Sequence, residues 1–295
     1  GTKRMFSHAI FMPGMPGWLE KAESDYENLK PDSFKGYTIG DNTNKQLSKH
    51  PWRLDDEKLV YPFYEKLAKW SKTQPSLANV CVHKGLYPPS VTQQYPHLLQ
   101  YAKVDDVAKA AKDWPQLNFV IYHSAFRYTG GTWDEGWQQF MRTGRIDWVT
   151  DLAQIPQKAG VNNVYGDLGQ IFAQSTIAEP RLCAAMLGQL IQGLGSDHVV
   201  WGTDAIWTGS PQWQIEALRR LEIPEDMQKK YGFTPLGAAD GSVKRAIFGE
   251  NSARIYNFTQ AQRSALAGDK VALAKLGYDE FGDGRTNLRY GYMQG

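Results

Sequence analysis

Apolar residues gather in six short runs: Met5–Phe11, Phe34–Ile39, Asn79–Val82, Asn118–Tyr122, Asn163–Leu168 and His198–Thr203. Their starts are separated by 29, 45, 39, 45 and 35 residues. Each run has strand length, and each gap holds a loop, a helix and a return loop, where hairpins would need far less. The intervening segments carry helical period. Leu59, Phe63, Leu67 and Trp70 form one stripe, Val104, Val107, Ala108 and Ala111 a second, and Leu182, Met186 and Leu190 a third, with Pro180 near its start and Gly195 at its end. Alternating strands and helices predict an α/β fold with a parallel sheet and helices outside it.

Six strands suit an open doubly wound sheet or part of a (β/α)8 barrel. A doubly wound nucleotide binder should show a Gly-rich loop after an early strand, and neither GxGxxG nor GxxxxGK[ST] occurs. The expectation is therefore an incomplete TIM barrel with strands three to eight visible and the first two βα units absent. Gly1-Thr2 followed so soon by an apolar run reads as a chain cut from something longer. After the last strand, Val243–Phe248 reads as a helix and Asn251 as the cap of another, Ser252–Phe258. From Gln260 a short helix pair leads into a polar, Gly-rich tail, Gly277–Gly295. The predicted division is a partial barrel over 1–258 and helices with a tail over 259–295, packing on the barrel or on a partner.

Composition narrows the function classes. Of 295 residues, 42% are apolar and 22% charged, enough for a substantial core. The net charge of +2 is spread without a basic stripe, which excludes nucleic acid as the main partner. No apolar run approaches the ~20 residues that span a bilayer. Cys81 and Cys183 stand alone in apolar surroundings, as free thiols do, which points to a reducing, cytoplasmic compartment.

Candidate chemistry sits where the strands stop. His83 ends the strand that the third run predicts, His123 follows the fourth run, and Asp204 follows the sixth. In a parallel barrel these ends share one rim, where active sites are built. Imidazole and carboxylate suit a divalent ion, zinc or alternatively manganese, and a catalytic zinc takes three protein ligands and keeps one position for water. His83 and Asp204 supply two; His123 is either a third or a neutral base and hydrogen-bond donor beside the metal. His8, inside a strand, and His198, at a strand's start, read as structural, and His50 and His97 lack the rim placement. Trp133, Trp137, Trp207 and Trp213 follow the later strands and either line a pocket for a planar substrate or pack loops. Lys84 and Arg127, just past the two histidines, are candidates to hold a substrate carboxylate, with plain surface charge as the alternative. Asp41 follows the second run, and Asp167, near the end of the fifth, either faces the pocket or, as the chief reading, caps the next turn.

Segments 79–85, 118–124, 163–169, 198–205 and 247–256 together resemble the amidohydrolase-related, metal-dependent TIM-barrel enzymes, the branch that includes aminocarboxymuconate semialdehyde decarboxylase. The marks are a strand-five His followed by Gly, a strand-six His, Gly-Thr-Asp at strand eight, and the closing Phe248-Gly249-Glu250-Asn251-Ser252-Ala253-Arg254. The likeness implies that His83 is a metal ligand, that Asp204 contacts the metal or the proton of its water, and that His123 polarises substrate or takes a proton. Two departures stand out. No His-x-His occurs anywhere in the chain, so the strand-one ligands are missing, and His123-Ser124-Ala125 replaces the usual His-x-Gly-Gly, which predicts a different local turn.

The expected function is a metal-dependent hydrolase of this superfamily, acting through a metal-activated water on a small carboxylated or cyclic substrate, with Trp207, Lys84 and Arg127 at the substrate. Alternatives are a non-oxidative decarboxylase of the same family, a glycoside hydrolase using Asp41 and Asp167, and an inactive partial barrel whose open sheet edges recruit a partner chain or a second copy as a homo-oligomer.

Overall fold

A computed structural model of the chain describes residues 3–39, 49–85, 95–127 and 132–281. Each of the six apolar runs contains a strand: β1 His8–Ile10, β2 Ser33–Tyr37, β3 Asn79–His83, β4 Asn118–Tyr122, β5 Val164–Asp167 and β6 Val199–Val200. They form one parallel sheet in the order β1-β2-β3-β4-β5-β6. Every neighbour is consecutive in the chain, as successive βα units of a TIM-barrel-like fold require, whereas a doubly wound sheet reverses direction once. Among the described residues β1 pairs only with β2, and β6 only with β5, so the sheet is not closed.

Strand alternation sorts the side chains onto two faces. Phe34, Val80, Val82, Phe119, Ile121, Val164 and Val199 join the main core with the surrounding helices. The opposite face carries Cys81, Val120, Tyr165 and Val200, which pack with Ile255. The register sets Ile10, Lys35, Cys81, Val120 and Tyr165 side by side in one row, and Tyr37, His83 and Tyr122 in the next row toward the C-terminal rim. Chemistry-bearing residues therefore lie on the face away from the main core.

The predicted helical stripes form the helices Tyr61–Trp70, Val107–Asp113 and Pro180–Leu194. The last starts on Pro180 and ends at Gly195, where φ is +97°. Its stripe residues Leu182, Met186 and Leu190 are buried.

Three expectations need correction. The sixth run pairs over two residues only, because the Trp201 N–H donates to the Ile247 carbonyl at 3.1 Å instead of to a strand. Asn251 does not cap a new helix. Ser242–Arg245, a π-helical turn Ala246–Glu250 and Asn251–Ile255 run on as one element, and the Asn251 amide donates to the carbonyls of Ser196 and Val199, both at 2.8 Å. The polar tail does not begin at Gly277, since the helix Lys270–Phe281 passes through it; residues 282–295 lie outside the described residues. This helix and its neighbour Gln260–Ala267 contain no buried residue, and Arg4 ties them to the barrel through Asp269 and the Leu266 carbonyl. Cys81 and Cys183 are free and buried. No helix among the described residues is long and apolar enough to cross a membrane.

Candidate active site

A cavity of about 600 Å³ opens at the C-terminal rim of the sheet. Every strand end contributes to its wall: Ile10 from β1, Lys35 and Tyr37 from β2, His83 from β3, His123 after β4, Gln170 after β5 and Asp204 after β6. Met12, Pro13, Met15, His50, Trp52 and Trp207 complete it from the loops. The three residues singled out for chemistry, His83, His123 and Asp204, thus share one cavity.

His123 and His83 are in direct contact. By strand alternation His123 would face the helices, opposite to Tyr122. Instead His123, Ser124 and Ala125 all adopt left-handed backbone, with φ of +60°, +44° and +55°, and this turns the imidazole back over the strand ends. Side chains other than glycine are strained there. The turn is held by the Ser124 hydroxyl, which donates to the Asp167 carbonyl at 2.8 Å, and by the Phe126 N–H, which donates to the His123 carbonyl at 2.9 Å. So Ala125, which stands where the family pattern has its first glycine, takes a conformation that glycine would favour. The backbone of Ala125 presses on Gly85, where φ is +76° and no Cβ fits.

The buried His123 ring has Nδ1 2.8 Å from the Gly169 carbonyl and Nε2 3.1 Å from His83 Nδ1. A carbonyl can only accept, so the proton of His123 sits on Nδ1 and Nε2 presents a lone pair, which accepts from the Nδ1–H of His83. Burial pushes His123 down to about 4 and His83 well below the usual imidazole value; each is lowered further by the nearby Lys35 charge, and His83 also by His123. Both rings are neutral near pH 7. Of the two roles left open for His123, taking a proton fits this tautomer and donating to a substrate carbonyl does not.

Asp204, with φ of +53°, stands in the loop after β6, half-buried on the cavity wall. Burial raises its carboxyl above the ordinary carboxylate range, and the Lys35 charge opposes this. Asp167 is different. Its Oδ1 accepts the Gly169 N–H at 2.9 Å and the His123 N–H at 3.3 Å, so it caps the turn after β5 and braces the His123 segment. Burial raises it to about 6. Its carboxylate is committed to this turn and does not line the cavity. Asp41, the other member of the pair expected for glycoside hydrolysis, lies outside the described residues.

The two expected substrate cations are also placed elsewhere. Lys84 alternates with His83 and points to the opposite face, fully buried. Its Nζ lies 3.1 Å from Asp106 and donates to the carbonyls of Tyr101 and Lys103. Arg127 pairs with Asp147 at 3.7 Å and lies over the Trp148 ring, outside the cavity wall. Among the four tryptophans, Trp207 lines the cavity and is 84% exposed at its mouth. Trp133 stacks on Phe126, Trp137 packs on Phe140, and Trp213 is buried. His50 does reach the cavity wall, contrary to expectation, while His198 is held by Asp197 and the Asn162 carbonyl.

The residues that sequence reasoning passed over are Lys35, Tyr37 and Trp52. Period-two alternation carried the signal for the first two, because Lys35 shares its face with Tyr37 in β2. Trp52 is fixed by its indole N–H, which donates to the Tyr37 carbonyl at 2.9 Å.

Two imidazole nitrogens bound to one tetrahedral zinc stand about 3.3 Å apart, given bonds of about 2.0–2.1 Å. The 3.1 Å between His83 Nδ1 and His123 Nε2 is close to that spacing, and a metal there would require the His83 proton to move from Nδ1 to Nε2 so that both facing nitrogens carry a lone pair. Asp204 is the one carboxylate among the described lining residues. No three His, Cys, Asp or Glu side chains among the described residues group tightly enough for a full ligand set. The residues fit two of the three protein ligands that a catalytic ion takes.

The rim cavity and consecutive parallel strands define a barrel-type enzyme scaffold, and the amidohydrolase family model matches residues 34–258. The chain belongs to the amidohydrolase family. No curated protein matches it. Among solved structures it is similar to an uncharacterised TIM-barrel protein from Bordetella bronchiseptica (13% identity, 85% of this chain and 66% of that one, TM-score 0.47). It is also similar to 2,6-dihydroxybenzoate decarboxylase from Rhizobium (14%, 86% and 72%, 0.47) and to a zinc-bound amidohydrolase from Burkholderia multivorans (13%, 81% and 87%, 0.39). The chain spans just under two thirds of the Bordetella protein's length.

Proposed function

We propose that this chain is a metal-assisted hydrolase for a small, ring-bearing carboxylic acid, working through the His83–His123 pair and Asp204. The observation that carries the reading is the tautomer of His123, whose Nε2 lone pair, held by the Nδ1–H of His83, lies at a cavity it shares with a carboxylate. In this reading the oxygen of a water attacks a carbonyl carbon of an amide or ester bond, and one water proton passes to Asp204. As the tetrahedral carbon collapses, the bond to the leaving nitrogen or oxygen breaks, Asp204 returns its proton to that atom, and His123 Nε2 takes the second water proton. A divalent ion, zinc or manganese, held by His83 and Asp204 with His123 beside them, would lower the pKa of a bound water toward ~7.

Non-oxidative decarboxylation is the second reading, favoured by the apolar residues Ile10, Met12, Met15 and Trp52 on the cavity wall, which suit a ring, and by the raised carboxyl of Asp204, which can protonate a ring carbon. The test is turnover of carboxyl-bearing amides, lactones and benzoates, including 2,6-dihydroxybenzoate, with added zinc or manganese and products read by NMR. Hydrolysis is expected, reduced about 10²- to 10⁴-fold by His123→Ala or Asp204→Asn. CO₂ release without hydrolysis would establish the second reading, and no turnover with either metal would reduce the chain to a binding role.

A further inference from the structure

We propose that Lys35 is the anion anchor of the rim cavity and binds the carboxylate of a small aromatic or cyclic monocarboxylic acid. This rests on the cavity being a substrate site, and it supplies the cation that Lys84 and Arg127 do not. Lys35 is the one lysine or arginine among the described residues of the cavity wall, and Asp204 the one acid.

The chain treats its inward lysines unequally. Lys84 meets Asp106 and two carbonyls; Lys244 meets Glu222 at 2.9 Å and the Arg219 carbonyl at 2.9 Å. Both side chains are fully buried, and both ammonium groups are satisfied by the protein. Lys35 is not satisfied in this way. Among the described residues no hydrogen-bond acceptor and no carboxylate lies within bonding distance of its Nζ, which instead rests 4.0 Å from the Tyr122 ring centre and 5.2 Å from that of Tyr37. Aromatic faces hold an ammonium weakly and leave its N–H donors available. A half-buried cation with unused donors is an incomplete ion pair, and a ligand carboxylate completes it.

The surroundings set the rest of the ligand. Tyr37, Trp52 and Trp207 offer aromatic surface on the same wall, which suits a planar ring. Asp204 bears on Lys35 electrostatically and would repel a second carboxylate on its side, so a monoanion fits best. About 600 Å³ is a normal size for a small organic ligand site.

The test is equilibrium binding of benzoate and of its neutral isostere benzamide to the 295-residue chain, followed by calorimetry and by quenching of tryptophan fluorescence. Wild type should bind benzoate at least about tenfold more tightly than benzamide, because only benzoate forms a charge-assisted bond with the ammonium. Lys35→Met should abolish that preference while leaving benzamide affinity unchanged, and Lys35→Arg should retain it. Equal affinities for the two probes in wild type, no saturable benzoate binding, or undiminished benzoate binding by Lys35→Met would each overturn the proposal. The wild-type contrast stands even if the Met variant fails to fold. Binding is read without turnover, so a chain inert in the substrate panel could still pass, and a failed benzoate contrast would leave the roles of His123 and Asp204 intact.

Discussion

At the scale of single residues, one lysine next to the catalytic candidates is structural and another, unremarked in sequence, faces the cavity. The reason is strand alternation. His83 and Lys84 are adjacent, so a ring that faces the rim cavity sends the following side chain to the other face, where Asp106 awaits it. Removing one partner of a buried ion pair strands the other charge. Lys84→Met should therefore lower stability by about 3–5 kcal/mol, while a Lys84→Met/Asp106→Leu double variant should recover most of the loss. Denaturant unfolding of the three proteins measures this, and an additive double variant would contradict it. His83, His123 and Asp204 were legible as strand-end polar residues. Lys35 was legible in principle from Ser33-Phe34-Lys35-Gly36-Tyr37, where it alternates with apolar Phe34, but a lone charge within a strand reads as surface until the neighbouring strands are known. Nothing in the sequence announces that Arg127 turns to Asp147.

At the scale of elements, the apolar runs located all six strands because buried parallel strands leave continuous apolar segments. Their ends were less legible, since an end depends on which backbone groups find partners elsewhere. β6 stops where Trp201 gives its N–H to the π-helical turn at Ile247, and a wider turn there is a long-range effect that no local pattern encodes. Asn251 looked like a cap because asparagine favours caps. Its amide is instead a buried clamp on Ser196 and Val199 that ties the helix Asn251–Ile255 to β6 and its approach. Asn251→Ala leaves two carbonyls unpaired and should cost about 2–3 kcal/mol. Asn251→Asp, isosteric but unable to donate when ionised, should cost at least as much. A tolerated Asp variant, read by thermal unfolding, would contradict the clamp.

At the scale of the molecule, several titratable groups are buried, and their shifts make stability depend on pH. His8 and His123 are held near 4, and His83 well below its ordinary value of 6.5, all chiefly by burial. Between about 6.5 and 4 the unfolded chain binds protons that the fold refuses, so stability rises with pH through this window and is lost on acidification. Asp167, raised to about 6 from 3.8, acts in the opposite sense over its own window, and Asp204 shifts the same way; the three imidazoles outnumber them. The urea midpoint should fall between pH 7 and pH 5, and a flat profile would contradict the burial of these rings. The most direct test of the convergence itself is ¹⁵N NMR of histidine-labelled protein at pH 7 and pH 5. Neutral His83 and His123 rings at both pH values, each protonated on Nδ1, with the His123 signals displaced by His83→Ala, are the predicted result. Rings fully protonated at pH 5, or a His123 signal indifferent to His83→Ala, would show that the two imidazoles do not meet at the rim.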